Sequence, residues 1–166
     1  MRQISSTVRR VNESLDEIVW AINPRNDTLP DLIGHLGQSA VDFLRLAGLK
    51  CEVDLPTQFP SCVLTPEQRH NLFLVAKEAV NNVVRHARAS EVRLKIEVAE
   101  ADLQITVEDN GCGFNGAPPR NGAEGFRNMR QRMKEIGGEC RIEAAPGQGT
   151  RVSFSFPLPA KAGAEN

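Results

Sequence analysis

Four short stretches hold residue types that can do chemistry. In KEAVNNVVRHARAS, Lys77–Ser90, a glutamate, two asparagines, an arginine and a histidine crowd into the nine residues Glu78–His86. Placed on a helical wheel, Glu78, Asn82 and Arg85 share one row at i, i+4 and i+7. Asn81 lies beside that row, and His86 falls at the border of the apolar arc. A carboxylate and a carboxamide oxygen one turn apart suit a hard, oxygen-seeking cation such as Mg²⁺, which takes few protein oxygens and keeps waters and phosphates. Arg85, a turn further on, is then placed for phosphate oxygens. The same three residue types also occupy ordinary solvated helix faces, so the row alone does not decide.

The second stretch is VEDNGCGF, where a strand ends in Asp109 and is followed by Gly111 and Gly113. Glycine there lets a flat ligand approach the backbone, and a carboxylate at a strand end can accept from an exocyclic amine. A tight turn after an edge strand uses the same residues. Third, NGAEGFRNMRQRM sets Gly122 and Gly125 before an expected helix, whose first turn would offer free N–H groups to an anion. Fourth, PGQGT, Pro146–Thr150, is a glycine-flanked turn into the last strand, and by itself it reads as hairpin chemistry.

These stretches need elements to position them. Residues 2–22 carry Ile4, Val8, Val11, Leu15, Ile18, Val19 and Ile22 near helical spacing, and the pattern stops at Pro24. Asp27 or Thr28 can cap a second helix with Leu29, Leu32, Ile33, Leu36, Ala40, Phe43 and Leu44 on one face and Gly48 near its end, so an antiparallel helical hairpin is expected. KCEVDLP is a short strand. Thr65, Pro66 and Gln68 announce the helix that carries Glu78 and Asn82. EVRLKIEV and LQITVED alternate as half-buried strands joined by AEAD. A Gly/Pro-rich loop leads to a helix over about 126–136, stopped by Gly137 and Gly138, and CRIEAA and TRVSFSF close the domain. The expected class is α+β, a two-layer α/β sandwich with helices on one face of a mixed, mostly antiparallel sheet, preceded by a helical segment.

Composition narrows the function. The chain has 166 residues, enough for one domain and a short appendage, and a net charge of −1 without long blocks of either sign, which disfavours nucleic acid as a partner. Cys51, Cys62, Cys112 and Cys140 stand without CxxC pairing, so reduced and mostly buried thiols are expected rather than a zinc knuckle. No apolar run approaches the roughly 18 to 20 residues that span a bilayer.

The ordered set is more specific than any member: E-x-x-x-N on a helix, D-x-G-x-G after a strand, a glycine-rich loop into a helix, then G-x-G-T into a strand. From about Pro66 to Pro157 the chain resembles the ATP-binding catalytic domain of sensor histidine kinases, the Bergerat ATP-binding fold shared with DNA gyrase, Hsp90 and MutL ATPases. Glu78 and Asn82 match the N box, Asp109, Gly111 and Gly113 the first glycine box, Gly125 and Phe126 the second, and Gly147, Gly149 and Thr150 the last. KEAVNNVVRHARAS with GFRNMRQRM is similar to the subgroup of nitrate sensors and the membrane-fluidity thermosensor, and DEIVWAINPRNDTLPDLI to its linker region. The resemblance implies that Asp109 accepts from the adenine amino group, with Gly111 and Gly113 shaping that pocket. It further implies that Asn82 with Glu78 holds Mg²⁺ on the phosphates, that Arg85 stands near them, and that Thr150 lines the adenine end. The loop from Asn115 to Glu124 would be the ATP lid. Where relatives commonly carry Gly-x-Gly, this chain has Ala123-Glu124-Gly125. A positive φ there would cost alanine about 1–2 kcal/mol.

The resemblance also implies a phosphoacceptor histidine followed by Asp or Glu. Here His35 precedes Leu36, His70 precedes Asn71 and His86 precedes Ala87, so none fits. His86 is expected to be structural or at the pocket edge. The expected organisation is 1–26 as the end of a dimerisation helix and linker, 27–159 as the ATP-binding domain and 160–166 as a tail. On that reading the chain is the cytoplasmic domain of a longer, homodimeric kinase, with or without a membrane anchor, has a response regulator as partner, and binds ATP without phosphorylating itself. Two alternatives stay open: an ATP hydrolase with Glu78 as general base, and a non-catalytic dimerisation module.

Overall fold

The computed structural model describes residues 19–23, 25, 27–99, 101–115 and 120–159, apart from the side chains of 120–122. The expected helix over 2–22 and the tail at 160–166 lie largely outside those residues, although 19–22 are helical. Helix α1 spans Leu29–Leu46, and of the two cap candidates Thr28 is the one used, its hydroxyl accepting from the Asp31 N–H at 3.3 Å. Gly48 follows the end of α1 at φ +75°, a left-handed turn that glycine makes without cost. Helix α2, Pro66–Asn82, opens with a complete capping box: the Gln68 N–H donates to the Thr65 hydroxyl and the Thr65 N–H to the Gln68 side chain.

Five strands follow the order β1-β2-β3-β5-β4: β1 Lys50–Asp54, β2 Glu91–Val98, β3 Asp102–Asp109, β4 Glu139–Ala144 and β5 Thr150–Pro157. Only β1 and β2 run parallel; the other neighbours are antiparallel. Period-two alternation turns Leu103, Ile105 and Val107 of β3, with Val152, Phe154 and Phe156 of β5, toward the helices. There they meet Leu72, Ala76, Ala79 and Val80 of α2 and Met129 and Met133 of the last helix. Each such side chain, fully buried, contributes about 1.5–3 kcal/mol of transfer free energy. The other face of the sheet is polar and laced with cross-strand pairs such as Arg93–Glu52 at 2.9 Å and Arg151–Glu108 at 3.0 Å. The α+β two-layer expectation therefore holds.

Helix α3 differs from expectation. It spans Arg120–Glu135, so Gly122 and Gly125 lie inside it rather than before it. Glycine in a helix costs about 1 kcal/mol relative to alanine, which is why the sequence reads as a later start. A tertiary contact of Gly125, described below, outweighs that local preference. Of the expected lid, 120–124 are helical and 116–119 lie outside the described residues. Among the described non-glycine residues only Arg88 has a positive φ, so the strain anticipated at Ala123 does not arise.

All four cysteines are free, but the expectation of burial holds fully only for Cys62. Cys51 and Cys140 are half-buried and Cys112 is exposed, because it sits in the turn after β3. Among the described residues no helix is long and apolar enough to cross a membrane.

Candidate functional site

The same alternation that buries Leu103, Ile105 and Val107 puts Asp109 fourth in the inward-facing row, where a carboxylate is out of place unless something uses it. Asp109 is 4% exposed and lies between Val92 of β2 and Thr150 of β5 in register. Its Oδ1 accepts from the Gly111 N–H at 2.8 Å. Burial pushes its carboxyl above the ordinary aspartate value; backbone hydrogen bonds from Gly111 and Thr150 oppose that shift, and the charge of Glu108 adds to it.

Three backbone segments close tightly around Asp109. The Cys112 N–H donates to the Ala87 carbonyl at 2.7 Å and the Gly147 N–H to the Cys112 carbonyl at 2.7 Å, tying the end of α2 to the turns after β3 and β4. A Cβ on Gly111 would meet the Ala87 carbonyl oxygen at 2.1 Å. One on Gly149, which also has φ +73°, would meet the Asp109 carbonyl oxygen at 1.9 Å. The glycines of the first and last boxes thus act first as spacers between main chains. The resulting cavity is apolar apart from a few groups, and Asn82, His86, Asp109, Cys112, Phe114, Phe126 and Thr150 are among its lining residues.

That cavity encloses about 60 Å³, well below the roughly 300–1,000 Å³ of an open ligand pocket. The rings of Phe114 and Phe126, 5.8 Å apart, close it from the side of α3. A much larger hollow, about 470 Å³, lies on the opposite, charged face of the sheet among Arg93, Lys95, Glu108 and Arg151. Those groups are cross-strand neighbours in water, and none of the four boxes reaches them. Size therefore does not select the site here; convergence of polar groups on an apolar wall does.

Glu78 and Asn82 lie on α2 at the edge of the cavity, with α3 lying across them. A Cβ on Gly125 would stand 2.2 Å from Glu78 Oε1 and 3.4 Å from Asn82 Nδ2, so glycine leaves the Glu78 carboxylate room to lie directly under α3, and a larger residue would push it aside. Asn82 Nδ2 is buried and has no hydrogen-bond partner. A buried amide nitrogen without a partner costs about 1–3 kcal/mol. Its two ends exchange by rotation of the amide, so this edge can donate to a phosphate oxygen or turn its carbonyl oxygen to a cation. The donor set of one carboxylate and one carboxamide suits Mg²⁺ only when phosphates and water complete the shell. Among the described residues no three His, Cys, Asp or Glu side chains gather as a metal cage.

Arg85 does not stay in the row drawn from the sequence. Residues Val83–Ala87 form a π-helical turn that ends at Arg88 with φ +53°, and this wider turn breaks the 100° phase after Asn82. Arg85 is exposed and does not line the cavity, whereas His86 does. Of the expected residues, then, the fold gathers Asn82, Asp109, Gly113, Phe126 and Thr150 around one cavity. Glu78 and Gly125 meet at its edge, and Gly111 and Gly149 brace its walls. Sequence reasoning missed Phe114, whose only signal was its place after Gly113.

Residues 67–160 match the family of histidine kinase-, DNA gyrase B- and HSP90-like ATPases. The nitrate/nitrite sensor protein NarX of Escherichia coli is 31% identical over 78% of this chain and 21% of its own length. The signal transduction histidine-protein kinase/phosphatase UhpB of Salmonella typhimurium is 34% identical over 79% of the chain and 28% of its own length. The chain thus spans about a fifth to just over a quarter of the length of these relatives. Among solved structures, the histidine kinase domain of the blue-light activated kinase EL346 of Erythrobacter litoralis superposes with a TM-score of 0.64 at 26% identity, covering 78% of this chain and 62% of that one. With its ordered boxes, its mixed sheet and this match across more than half its length, the chain belongs to the histidine kinase-, gyrase B- and HSP90-like ATPase family.

Proposed function

We propose that residues 27–159 are the Mg²⁺-ATP-binding catalytic domain of a two-component sensor histidine kinase. It gives the γ-phosphoryl group of ATP to a histidine other than His35, His70 and His86. Residues 1–26 then join it to the dimerisation and phosphoacceptor part of a homodimer on the cytoplasmic side, and a response regulator receives the phosphoryl group. The observation that carries this reading is Asp109, a buried carboxylate at the floor of an apolar cavity with one oxygen held by the Gly111 N–H.

Each residue then has a task. The Asp109 carboxylate accepts from the adenine amino group, and the apolar wall with Thr150 and Phe126 sandwiches the base. Glu78 and Asn82 would hold Mg²⁺ together with phosphate oxygens, and the ion would neutralise phosphate charge during transfer. Arg85, exposed one turn beyond, serves the phosphates from outside the adenine pocket. Transfer depends mainly on positioning and charge neutralisation, so the domain supplies a held, oriented nucleotide and the phosphoacceptor supplies the nucleophile.

A fluorescent ATP analogue titrated with Mg²⁺ into the wild type and into Asp109→Asn tests the reading. Binding to the wild type with a clear loss in the variant is expected. Equal affinities would remove the adenine pocket, and no binding by either would remove the function.

A further inference from the structure

A second buried polar group lies far from the cavity and has no part in nucleotide chemistry. Arg69, on the first turns of α2, is 2% exposed among apolar neighbours. Its Nε donates at 3.0 Å to the carbonyl of Ala21, 48 residues away, and its Nη2 donates to the same oxygen. Its Nη1 donates to the Leu64 carbonyl. Ala21, itself 2% exposed, lies in the last turn of the helical residues 19–22, where the Asn23 N–H closes onto the Trp20 carbonyl at 3.3 Å.

Carbonyls in a last helical turn lack intrahelical partners and carry the negative end of the helix dipole. A guanidinium placed there satisfies both, and its Nε and Nη2 donors meet Ala21 only while the helix end is present. Withdrawal would leave a buried cation short of acceptors, an unfavourable state that opposes release of the helix end. Aromatic packing joins the same point. Trp20 stacks on His35 of α1 with ring centroids 4.2 Å apart at 12°, and His35 stacks on Phe73 of α2 at 4.8 Å and 27°. Val19 and Ile22, on the far side of the turn, stay about 60% exposed, so only the Trp20–Ala21 face is engaged.

We propose that Arg69, His35 and Phe73 form a seat that grips the end of the helical turn leading into the ATPase domain. Residues 19–22 then rotate with that domain as one body. Because α2 also bears Glu78 and Asn82, the seat fixes the direction of the leading segment relative to the nucleotide. That last consequence rests on the proposed function; the seat itself does not.

Trp20 is the only tryptophan of the chain, so its fluorescence reports on the seat without labelling. In the whole chain, its anisotropy should decay with the tumbling of the domain, and acrylamide should quench it slowly. Arg69→Met should add a fast sub-nanosecond component and raise the quenching constant at least twofold, while far-UV circular dichroism and a cooperative thermal transition show the fold intact. If Arg69→Met does not fold, His35→Ala removes the middle ring while leaving Arg69 on the Ala21 and Leu64 carbonyls, and should give the same change. Free, fast rotation of Trp20 in the wild type would overturn the proposal, as would unchanged anisotropy and quenching in the folded variant. A held Trp20 in a chain that binds no ATP would leave the seat standing and remove the nucleotide reading alone.

Discussion

Replacing Gly125 with alanine separates the metal-binding role proposed for Glu78 from the integrity of the fold. The added Cβ would lie 2.2 Å from Glu78 Oε1, and ordinary contact begins near 3.4 Å, so the oxygen must retreat by about 1.2 Å (3.4 − 2.2). It is the end of a flexible side chain, so it yields rather than the backbone. Holding the carboxylate in a displaced rotamer costs about 0.5–1.5 kcal/mol, and at about 1.4 kcal/mol per tenfold this weakens Mg²⁺-dependent ATP binding by roughly 2- to 13-fold. The helix itself gains, because alanine is favoured over glycine by about 1 kcal/mol in a helix interior. Urea unfolding of Gly125→Ala should therefore show unchanged or slightly raised stability. Displacement of a fluorescent ATP analogue should show weaker binding with Mg²⁺ and little change in EDTA. A stability loss above about 2 kcal/mol, or equal weakening with and without Mg²⁺, would refute the placement of Glu78 as a metal ligand under α3.

Gly149→Ala should behave in the opposite way: its Cβ meets backbone, the Asp109 carbonyl at 1.9 Å, at a positive φ, so chemical denaturation should show a loss of at least about 1–3 kcal/mol. In Asp109→Asn one oxygen must serve both the Gly111 N–H and the adenine amine, so a binding titration should record a loss of about 10- to 100-fold. Burial raises the Asp109 carboxyl, so protonation favours the empty fold. That contribution is present below the ordinary aspartate value and is lost as pH rises through the raised one. Thermal melts at neutral pH should consequently find ligand-free Asp109→Asn no less stable than wild type, and ATP affinity in the wild type should fall as pH drops through the raised value. Arg85→Ala, at an exposed position, should leave the melting temperature nearly unchanged while weakening ATP binding more than adenosine binding; equal effects on both would remove Arg85 from the phosphates.

What was legible in the sequence was local. Thr65, Pro66 and Gln68 set the start of α2 by capping chemistry within four residues, and alternation along β3 set which side chains face inward. Asp109 was findable for the same reason, since it extends an apolar row by one polar residue. The start of α3 was not legible, because the reason for Gly125 lies on another helix. The π-helical turn at Val83–Ala87 was hidden likewise: it ends where the Cys112 N–H, 25 residues on, takes the Ala87 carbonyl. The burial of Arg69 and Asn71 was not legible, because the partners that satisfy them, Ala21 and Arg132, are distant in the chain.

The central claim is that a carboxylate on the floor of this cavity reads the amino group of adenine, and calorimetric titration of the unmodified chain with ATP and with ITP in Mg²⁺ tests it most directly. ITP presents a carbonyl where ATP presents the amine, so it would set oxygen against Asp109 and strand a buried charge. One saturable site for ATP, and binding of ITP weaker by about 100-fold or more, are expected. Equal affinity for the two nucleotides would contradict it.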